Sequence, residues 1–399
     1  MITVVGIGAD GWPGLPERLR EVVRDASVVL GGRRHLAMLP DVPGQRRESW
    51  PSPLRERLPA LLASLGEGPV VVLASGDPLV SGIGSTLLDL LGPESVRIEP
   101  AVSSVALARA WMGWPAESCA VVSVVGRDVA LVLRELAPGR RILVLSADEH
   151  TPALVAELLL DAGYAASAVT VLGDLGSDRP SRRTAPASSW TCAAPTVARL
   201  NIVAIECTGP HVGGWVAGLP DEAYEHDGQL TKRDLRASAL SRLAPTPGAH
   251  LWDVGAGAGS VGIEWLRTHA TCTATAIEAD PGRAERVARN AARLGVPTLQ
   301  VVTGRAPGAL AGLPEPDAVF VGGGATAPGL LDACRDALAP GGRLVVHGVT
   351  LDTEQLLADA YRTYGGELTR IGVEAAAPLG SFTGWSPART VTQWAWTKA

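Results

Sequence analysis

Two acidic residues flank a glycine-rich turn in the second half of the chain. Asp253 closes the run His250-Leu-Trp-Asp, and the turn follows as Gly255, Ala256, Gly257, Ala258 and Gly259. About 20 residues on, Thr273-Ala-Thr-Ala-Ile ends in a second acid, Glu278. Glycine permits positive φ and lets backbone N–H groups come close to a ligand. A carboxylate at the second position can accept both hydroxyls of a ribose. Asp253 would repel a pyrophosphate but could hold an ammonium group. A nucleoside with a cationic amino-acid tail satisfies both acids, and S-adenosylmethionine is such a molecule.

The first half offers a different set. Gly6 and Gly8 form a Gly-x-Gly-x-x-Gly turn directly after the run Ile2-Thr-Val-Val. Gly76, Asp77 and Pro78 form a turn after Val70-Val-Val-Leu. Ser103 and Ser104 follow Glu99-Pro-Ala-Val. They could cap a helix starting at Val105 or bind a carboxylate at its N-terminus. The first half has no acid matching Glu278, so the two glycine turns are not read as a duplication.

These residues need elements to hold them. Short β-branched runs alternate with longer helical stretches along most of the chain, as in Ile142–Leu145, Val169–Leu172, Leu251–Val254 and Ala318–Val321. Continuous apolar runs of this length fit parallel strands buried on both faces, so the fold class is α/β. The segment 173–195 is rich in Ser, Arg, Thr and Pro and is expected to be loops. After Glu278 the sequence predicts a helix over Pro281–Leu294, a strand over Leu299–Gly304, a strand in Pro316–Val321 and a helix over Gly329–Leu338. This is the order of a seven-stranded Rossmann-like methyltransferase. Upstream, Thr231 with Asp234 three residues later predicts a helix N-terminus, with Leu235, Ala239 and Leu243 facing inward. The domains are expected at 1–207 and 226–399, joined by a linker at 208–225.

Composition excludes several functions. The chain has 399 residues, 46% hydrophobic and 19% charged, enough for two cored domains. Residues 1–207 carry 19 basic and 22 acidic side chains, and the remainder 16 and 19, so neither half is a basic arm and nucleic acid is not an expected partner. Only Lys232 and Lys398 are lysines among 35 basic residues. The cysteines at 119, 192, 207, 272 and 334 are odd in number and widely spaced, which speaks against a disulfide framework or a metal site. No apolar run is long enough for a membrane span, and the N-terminus lacks the pattern of a signal peptide. A cytoplasmic homo-oligomer without membrane contact is expected.

Here the motifs become specific enough for a family. Thr231-Lys-x-Asp-x-Arg-Ala, Leu251-Trp-Asp-Val-Gly-Ala-Gly-x-Gly-Ser-Val, Gly304-x-Ala-Pro and Pro316-Asp-x-Val-Phe-Val-Gly-Gly resemble the C-15-methylating, decarboxylating methyltransferases of cobalamin biosynthesis. In the first half, the turns at Gly6, Gly76 and Ser103 resemble the tetrapyrrole methylase superfamily, whose two lobes bind S-adenosylmethionine between them. Val28-Val-Leu-Gly-Gly-Arg-Arg-His-Leu resembles its C-5-methylating cobalamin branch. Two departures stand out. Val125 lies before Gly-Arg where that branch usually has His, and His347 lies where the C-terminal family usually has Asn.

The resemblance implies a bifunctional enzyme with S-adenosylmethionine bound in each half and a precorrin tetrapyrrole as substrate. It would methylate C-5 and C-15 and remove CO2 from one acetate side chain. It places Gly6, Gly8, Gly76, Asp77, Pro78, Ser103 and Ser104 at one cofactor site, and Thr231, Asp253, Gly255–Gly259, Glu278, Gly304 and Ala306 at the other. Lys232, Arg236 and His347 stand beside the second set and are expected to orient substrate carboxylates. No strong base is needed, because the accepting meso carbon is already electron-rich. Three alternatives remain open from the residues alone: another corrinoid intermediate as substrate, a dinucleotide-dependent oxidoreductase, and a non-catalytic scaffold.

Overall fold

The computed structural model of the protein describes residues 1–190, 197–210 and 214–399, so Cys192 lies outside the described residues. The chain divides into two compact units. One comprises Met1–Val129 and Ala137–Pro210, the other Ala130–Leu136 and His211–Ala399.

The first unit contains two five-stranded sheets. The strands of the first are β1 (Ile2–Ile7), β2 (Val28–Gly31), β3 (Arg46–Ser49), β4 (Val70–Ser75) and β5 (Val96–Glu99), in the order β3-β2-β4-β1-β5. All pairs are parallel. Alternation along these strands fills two cores. Val4, Leu30 and Val72 face one, and Val5, Val29 and Val71 the other. Helices α1 (Glu17–Arg24), α2 (Arg33–Ala37), α3 (Leu54–Ala63) and α4 (Ile83–Leu91) connect them, and α5 (Ser104–Met112) leads onward.

The second sheet is mixed, with β6 (Cys119–Ser123), β7 (Arg141–Leu145), β8 (Ala168–Gly173), β9 (Ser181–Pro186) and β10 (Asn201–Glu206) in the order β6-β7-β10-β8-β9; α6 (Thr151–Asp161) joins β7 to β8. The loops expected over 173–195 are in part a strand. β9 pairs antiparallel with β8, and Thr170 Oγ1 meets Thr184 Oγ1 at 2.8 Å. Its residues are mostly exposed. An edge strand with no buried face carries no apolar alternation, which is why the sequence hid it.

The second unit is a doubly wound sheet. Its strands are β11 (His250–Val254), β12 (Thr273–Glu278), β13 (Gln300–Thr303), β14 (Ala318–Val321), β15 (Arg343–Gly348), β16 (Glu367–Ile371) and, after a separate hairpin of β17 (Glu374–Leu379) and β18 (Phe382–Pro387), β19 (Val391–Thr397). The order β13-β12-β11-β14-β15-β19-β16 gives the seven strands the motifs imply. β13 through β15 run parallel, and β19 is antiparallel to both its neighbours. Helices α7 (Arg233–Leu243), α8 (Ser260–Thr268), α9 (Pro281–Arg293), α10 (Leu330–Ala337) and α11 (Leu351–Tyr364) cover it. The strand order reverses between β11 and β14, and ligands of such sheets bind outside the carboxyl ends of the strands at that point.

Candidate functional site

A cavity of about 630 Å³ opens at this reversal. Its walls include Gly255, Ala256 and Gly257 after β11, Glu278 at the end of β12, Gly304 to Ala306 after β13, and Gly322 to Gly324 after β14. The loop runs left-handed at Gly255 (φ 70°) and Gly257 (φ 58°). A Cβ at Gly255 would stand 2.9 Å from the Gly323 carbonyl oxygen, so the two glycine segments can lie against each other only without side chains. Ala258 and Gly259 do not line the cavity. Ala258 is fully buried in the core, and Gly259 (φ 78°) starts α8, so the second half of the motif turns the chain inward.

The two acids separate in role. Glu278 lies on the cavity wall and is fixed there by the N–H groups of Gly257 (2.8 Å to Oε2) and Asp280 (3.0 Å to Oε1). Asp253 is 1% exposed and is not among the lining residues. Its Oδ2 accepts from the Gly262 N–H at 2.9 Å, in the first turn of α8. Burial pushes this carboxyl up to about 7, partly offset by that hydrogen bond, and the Glu278 charge adds to the rise. The direct ammonium contact expected of Asp253 is therefore not what its observed bonding shows.

Thr231 and Lys232 line the cavity, but Thr231 does not cap α7. Lys232 occupies the N-cap and makes no side-chain cap bond. Lys232 Nζ lies 3.6 Å from Asp221 Oδ2. Arg236 is a correction: it is fully buried and is not among the lining residues. Its Nε pairs with Glu264 Oε1 at 2.5 Å, and its Nη groups donate to the carbonyls of Thr231 and Leu219. Glu264 also accepts from Tyr224 and from the Gly218 and Leu219 N–H groups. A guanidinium that donates to Glu264, Asp221 and the carbonyls of Thr231 and Leu219 holds the segment before α7 onto α8 and cannot reach a substrate. His347, at the end of β15, does line the cavity. Its Nε2 meets Gln393 Oε1 at 2.9 Å, and burial lowers its pKa.

In the first unit a cavity of about 420 Å³ is lined by Asp77, Ser103 and Ser104 together with His35, Ser75, Val125 and Asn201. Gly6, Gly8, Gly76 and Pro78 are not among its lining residues; they shape the loops beneath it. A Cβ on Gly6 would meet the Gly76 carbonyl at 2.0 Å and the Ala101 N at 2.6 Å. Gly76 (φ 53°) donates to Ile7 and accepts from Ala101, which ties the ends of β1, β4 and β5 together. A Cβ on Gly8 would strike Asp10, and the Pro78 carbonyl accepts from Gly84 at the start of α4. Ser103 caps α5 through Ala106 N at 3.1 Å. His35 Nε2 lies 3.0 Å from Arg34 Nη2, which can only donate, so this ring nitrogen accepts. Burial and the Arg34 charge push the imidazole down to about 4.

Comparison with known proteins bears on both halves. A family model described as Tetrapyrrole (Corrin/Porphyrin) Methylases matches residues 1–188, and one described as Precorrin methyltransferase domain matches residues 222–398. A Sinorhizobium protein named precorrin-6Y C(5,15)-methyltransferase (decarboxylating) is 45% identical over 400 residues, spanning 100% of this chain and 96% of the relative. The chain belongs to the precorrin-6Y C(5,15)-methyltransferase (decarboxylating) family. Two shorter relatives come from Salmonella typhimurium. A cobalt-precorrin-7 C(5)-methyltransferase is 34% identical over 41% of this chain and 79% of its own length. A cobalt-precorrin-6B C(15)-methyltransferase (decarboxylating) is 40% identical over 29% of this chain and 60% of its own length. The family is one of decarboxylating methyltransferases.

Sequence reasoning missed several cavity residues. Arg305 and Arg389 line the larger cavity as exposed guanidiniums, with no ion-pair partner among the described residues. Arg305 sits inside the Gly304-x-Ala-Pro motif and was legible as its variable position. Arg389 reaches the site because β19 returns to pair with β15, which no local pattern announces. His35, on α2, and Asn201, at the start of β10, both line the smaller cavity of the first unit. His35 lies in the Gly-Gly-Arg-Arg-His stretch that carried the resemblance, but nothing in its spacing marked it as a wall residue.

Proposed function

We propose that the chain methylates a precorrin macrocycle at C-5 and C-15 and decarboxylates one acetate side chain, with one S-adenosylmethionine site in each unit. The C-5 step is assigned to the first unit, residues 1–207 in sequence terms. The C-15 step and the decarboxylation are assigned to the second, residues 226–399. The observation that carries this reading is the composition of the larger cavity. Its wall joins a glycine loop and a fixed strand-end carboxylate to four basic side chains, Arg283, which pairs with Asp227, and Lys232, Arg305 and Arg389.

The residues fit such a cofactor. The cavity volume is in the range that holds a ligand of this size. Each Glu278 oxygen spends one acceptor site on a backbone N–H and keeps another, which suits two ribose hydroxyls. When bound, the cofactor supplies an electrophilic methyl group. The chain's own part is alignment, because the accepting meso carbon is electron-rich already, and positioning is worth ~7–11 kcal/mol. Lys232, Arg305 and Arg389 hold peripheral carboxylates by charge-assisted hydrogen bonds. Ala327, Leu330, Val349 and Val391 supply an apolar wall that keeps water from the reacting face. In the decarboxylation, the bond between the acetate methylene and its carboxyl carbon breaks. CO2 leaves, the electron pair enters the conjugated ring system, and a proton is taken up there. In the first unit, Asp77, Ser103 and Ser104 are assigned to the cofactor because they line its cavity, with Gly6, Gly8, Gly76 and Pro78 shaping the loops.

The test uses the full chain with S-adenosylmethionine and precorrin-6B, following product mass. The intact protein is expected to add two methyl groups with loss of one CO2. Val125→Trp fills the smaller cavity from an exposed position and is expected to abolish one methylation while leaving the other with CO2 release. Glu278→Gln is expected to slow the complementary set. Retention of CO2 release when the larger cavity is disabled, or its loss with Val125→Trp alone, would overturn the assignment.

A further inference from the structure

His347 and Gln393 face each other directly across β15 and β19, so their side chains share one face of the sheet. His347 Nε2 lies 2.9 Å from Gln393 Oε1. An amide oxygen only accepts, so Nε2 carries the proton. The other ring nitrogen, Nδ1, has no partner among the described residues and is not one of the buried unpartnered atoms. On a residue that is 8% exposed and lines the cavity, Nδ1 is the nitrogen left open to it. Phe320 packs edge-on against the ring at 5.0 Å, and burial disfavours its protonated form.

Gln393 itself is an anomaly. It is fully buried, and its amide nitrogen has no hydrogen-bond partner. A buried unpaired donor costs stability, and a methionine would fill a similar volume without that cost. A glutamine in this position is explained by what it does to its neighbour. A neutral imidazole whose N–H is spent on Gln393 offers the cavity only a lone pair. It repels a carboxylate and accepts from an N–H group.

We propose that Gln393 is a positioning residue that fixes His347 as a hydrogen-bond acceptor for a pyrrole-type N–H of the bound macrocycle. His347 is then a register pin for the ring and not a carboxylate anchor, and the carboxylates fall to Lys232, Arg305 and Arg389. This rests on the reading of the larger cavity as the C-15 site.

The test has a spectroscopic and a kinetic arm, both on the full chain. Long-range proton–nitrogen correlation spectra of the histidine rings, with His347 signals identified by their loss in His347→Asn, are expected to show the Nε2–H tautomer at neutral pH. Gln393→Met is expected to shift those signals towards a mixture of tautomers. The same variant is expected to lower kcat for CO2 release about five- to tenfold, the size of one lost neutral hydrogen bond, with unchanged affinity for S-adenosylhomocysteine. Its thermal stability is expected to hold or rise, which a purely structural glutamine would not allow. An Nδ1–H tautomer or an imidazolium in the unmodified chain overturns the proposal, and so does an unchanged tautomer and kcat in Gln393→Met. The tautomer arm needs no turnover. A chain that shows the expected tautomer but no methyl transfer would refute the functional reading alone.

Discussion

At the scale of single residues, the site divides between groups fixed by the backbone and groups free to meet a ligand. Glu278 belongs to the first kind, held by two N–H groups, whereas Arg305 and Arg389 belong to the second. Replacing either arginine by Ala is expected to raise KM for the tetrapyrrole roughly ten- to hundredfold, consistent with ~1.5–3 kcal/mol for a hydrogen bond to a charged group, and to leave S-adenosylhomocysteine binding unchanged in calorimetry. Asp253 gives a pH signature. Its folded pKa of about 7 stands above the ordinary carboxylate value, so the folded state holds the proton more tightly. The resulting stabilisation is complete below about pH 4 and is lost as pH rises through 7. Asp253→Asn keeps an acceptor for Gly262 and is expected to flatten the stability curve between pH 4 and 7. It is also expected to raise unfolding free energy at pH 8 by a few kcal/mol in the ligand-free protein. Denaturant titrations across pH check both statements.

At the scale of elements, α7 shows how a correct helix can carry a misread residue. The pattern Leu235, Ala239, Leu243 places one face inward, and all three are buried. Arg236 and Leu240 are buried as well, so the covered face is wider than that stripe. A charged residue at the margin of an apolar stripe reads as solvent-facing. Only the approach of Glu264 from α8 makes its burial affordable. Arg236→Ala would leave Glu264 buried without its counterion and is expected to cost ~3–5 kcal/mol. The lowered melting temperature should come with little change in the affinity of the remaining folded fraction for S-adenosylhomocysteine. The glycine loop behaves differently. Gly255→Ala puts a Cβ 2.9 Å from the Gly323 carbonyl at a φ that side chains rarely adopt. It is expected to weaken cofactor binding at the larger cavity without loss of the first unit's methylation, as read by product mass.

At the scale of the whole molecule, the chain order does not map simply onto the two units. The segment Ala130–Leu136 belongs to the second unit although its neighbours in sequence belong to the first. Within the second unit, the Trp215 indole donates to the Arg134 carbonyl at 3.2 Å, and a Cβ on Gly295 would stand 2.2 Å from the Arg134 N. A fragment covering 211–399 lacks this segment, and it is expected to melt below the corresponding unit of the full chain in calorimetry. Among the described residues, no helix is long and apolar enough to cross a membrane, and no cluster of potential metal ligands occurs. Arginine and lysine side chains line one cavity and not the other. The larger cavity has Lys232, Arg283, Arg305 and Arg389 on its wall beside a single acid, while the smaller has no arginine or lysine lining it.

The sequence by itself determined the α/β class, the strands β11 to β14 of the second unit, and the loops at Gly255 and Gly76. These rest on local rules: buried strands need unbroken apolar runs, and left-handed turns need glycine. Glu278 was legible for the same reason, because one βαβ turn fixes its distance from the loop. The tertiary structure alone decided which charges face a ligand. Arg236 turned inward and Asp253 went beneath its loop, while Arg389 and the Gln393–His347 pair came to the cavity through the return of β19. Burial and partnership of a polar group depend on what another, distant segment brings against it, and no spacing along the chain encodes that.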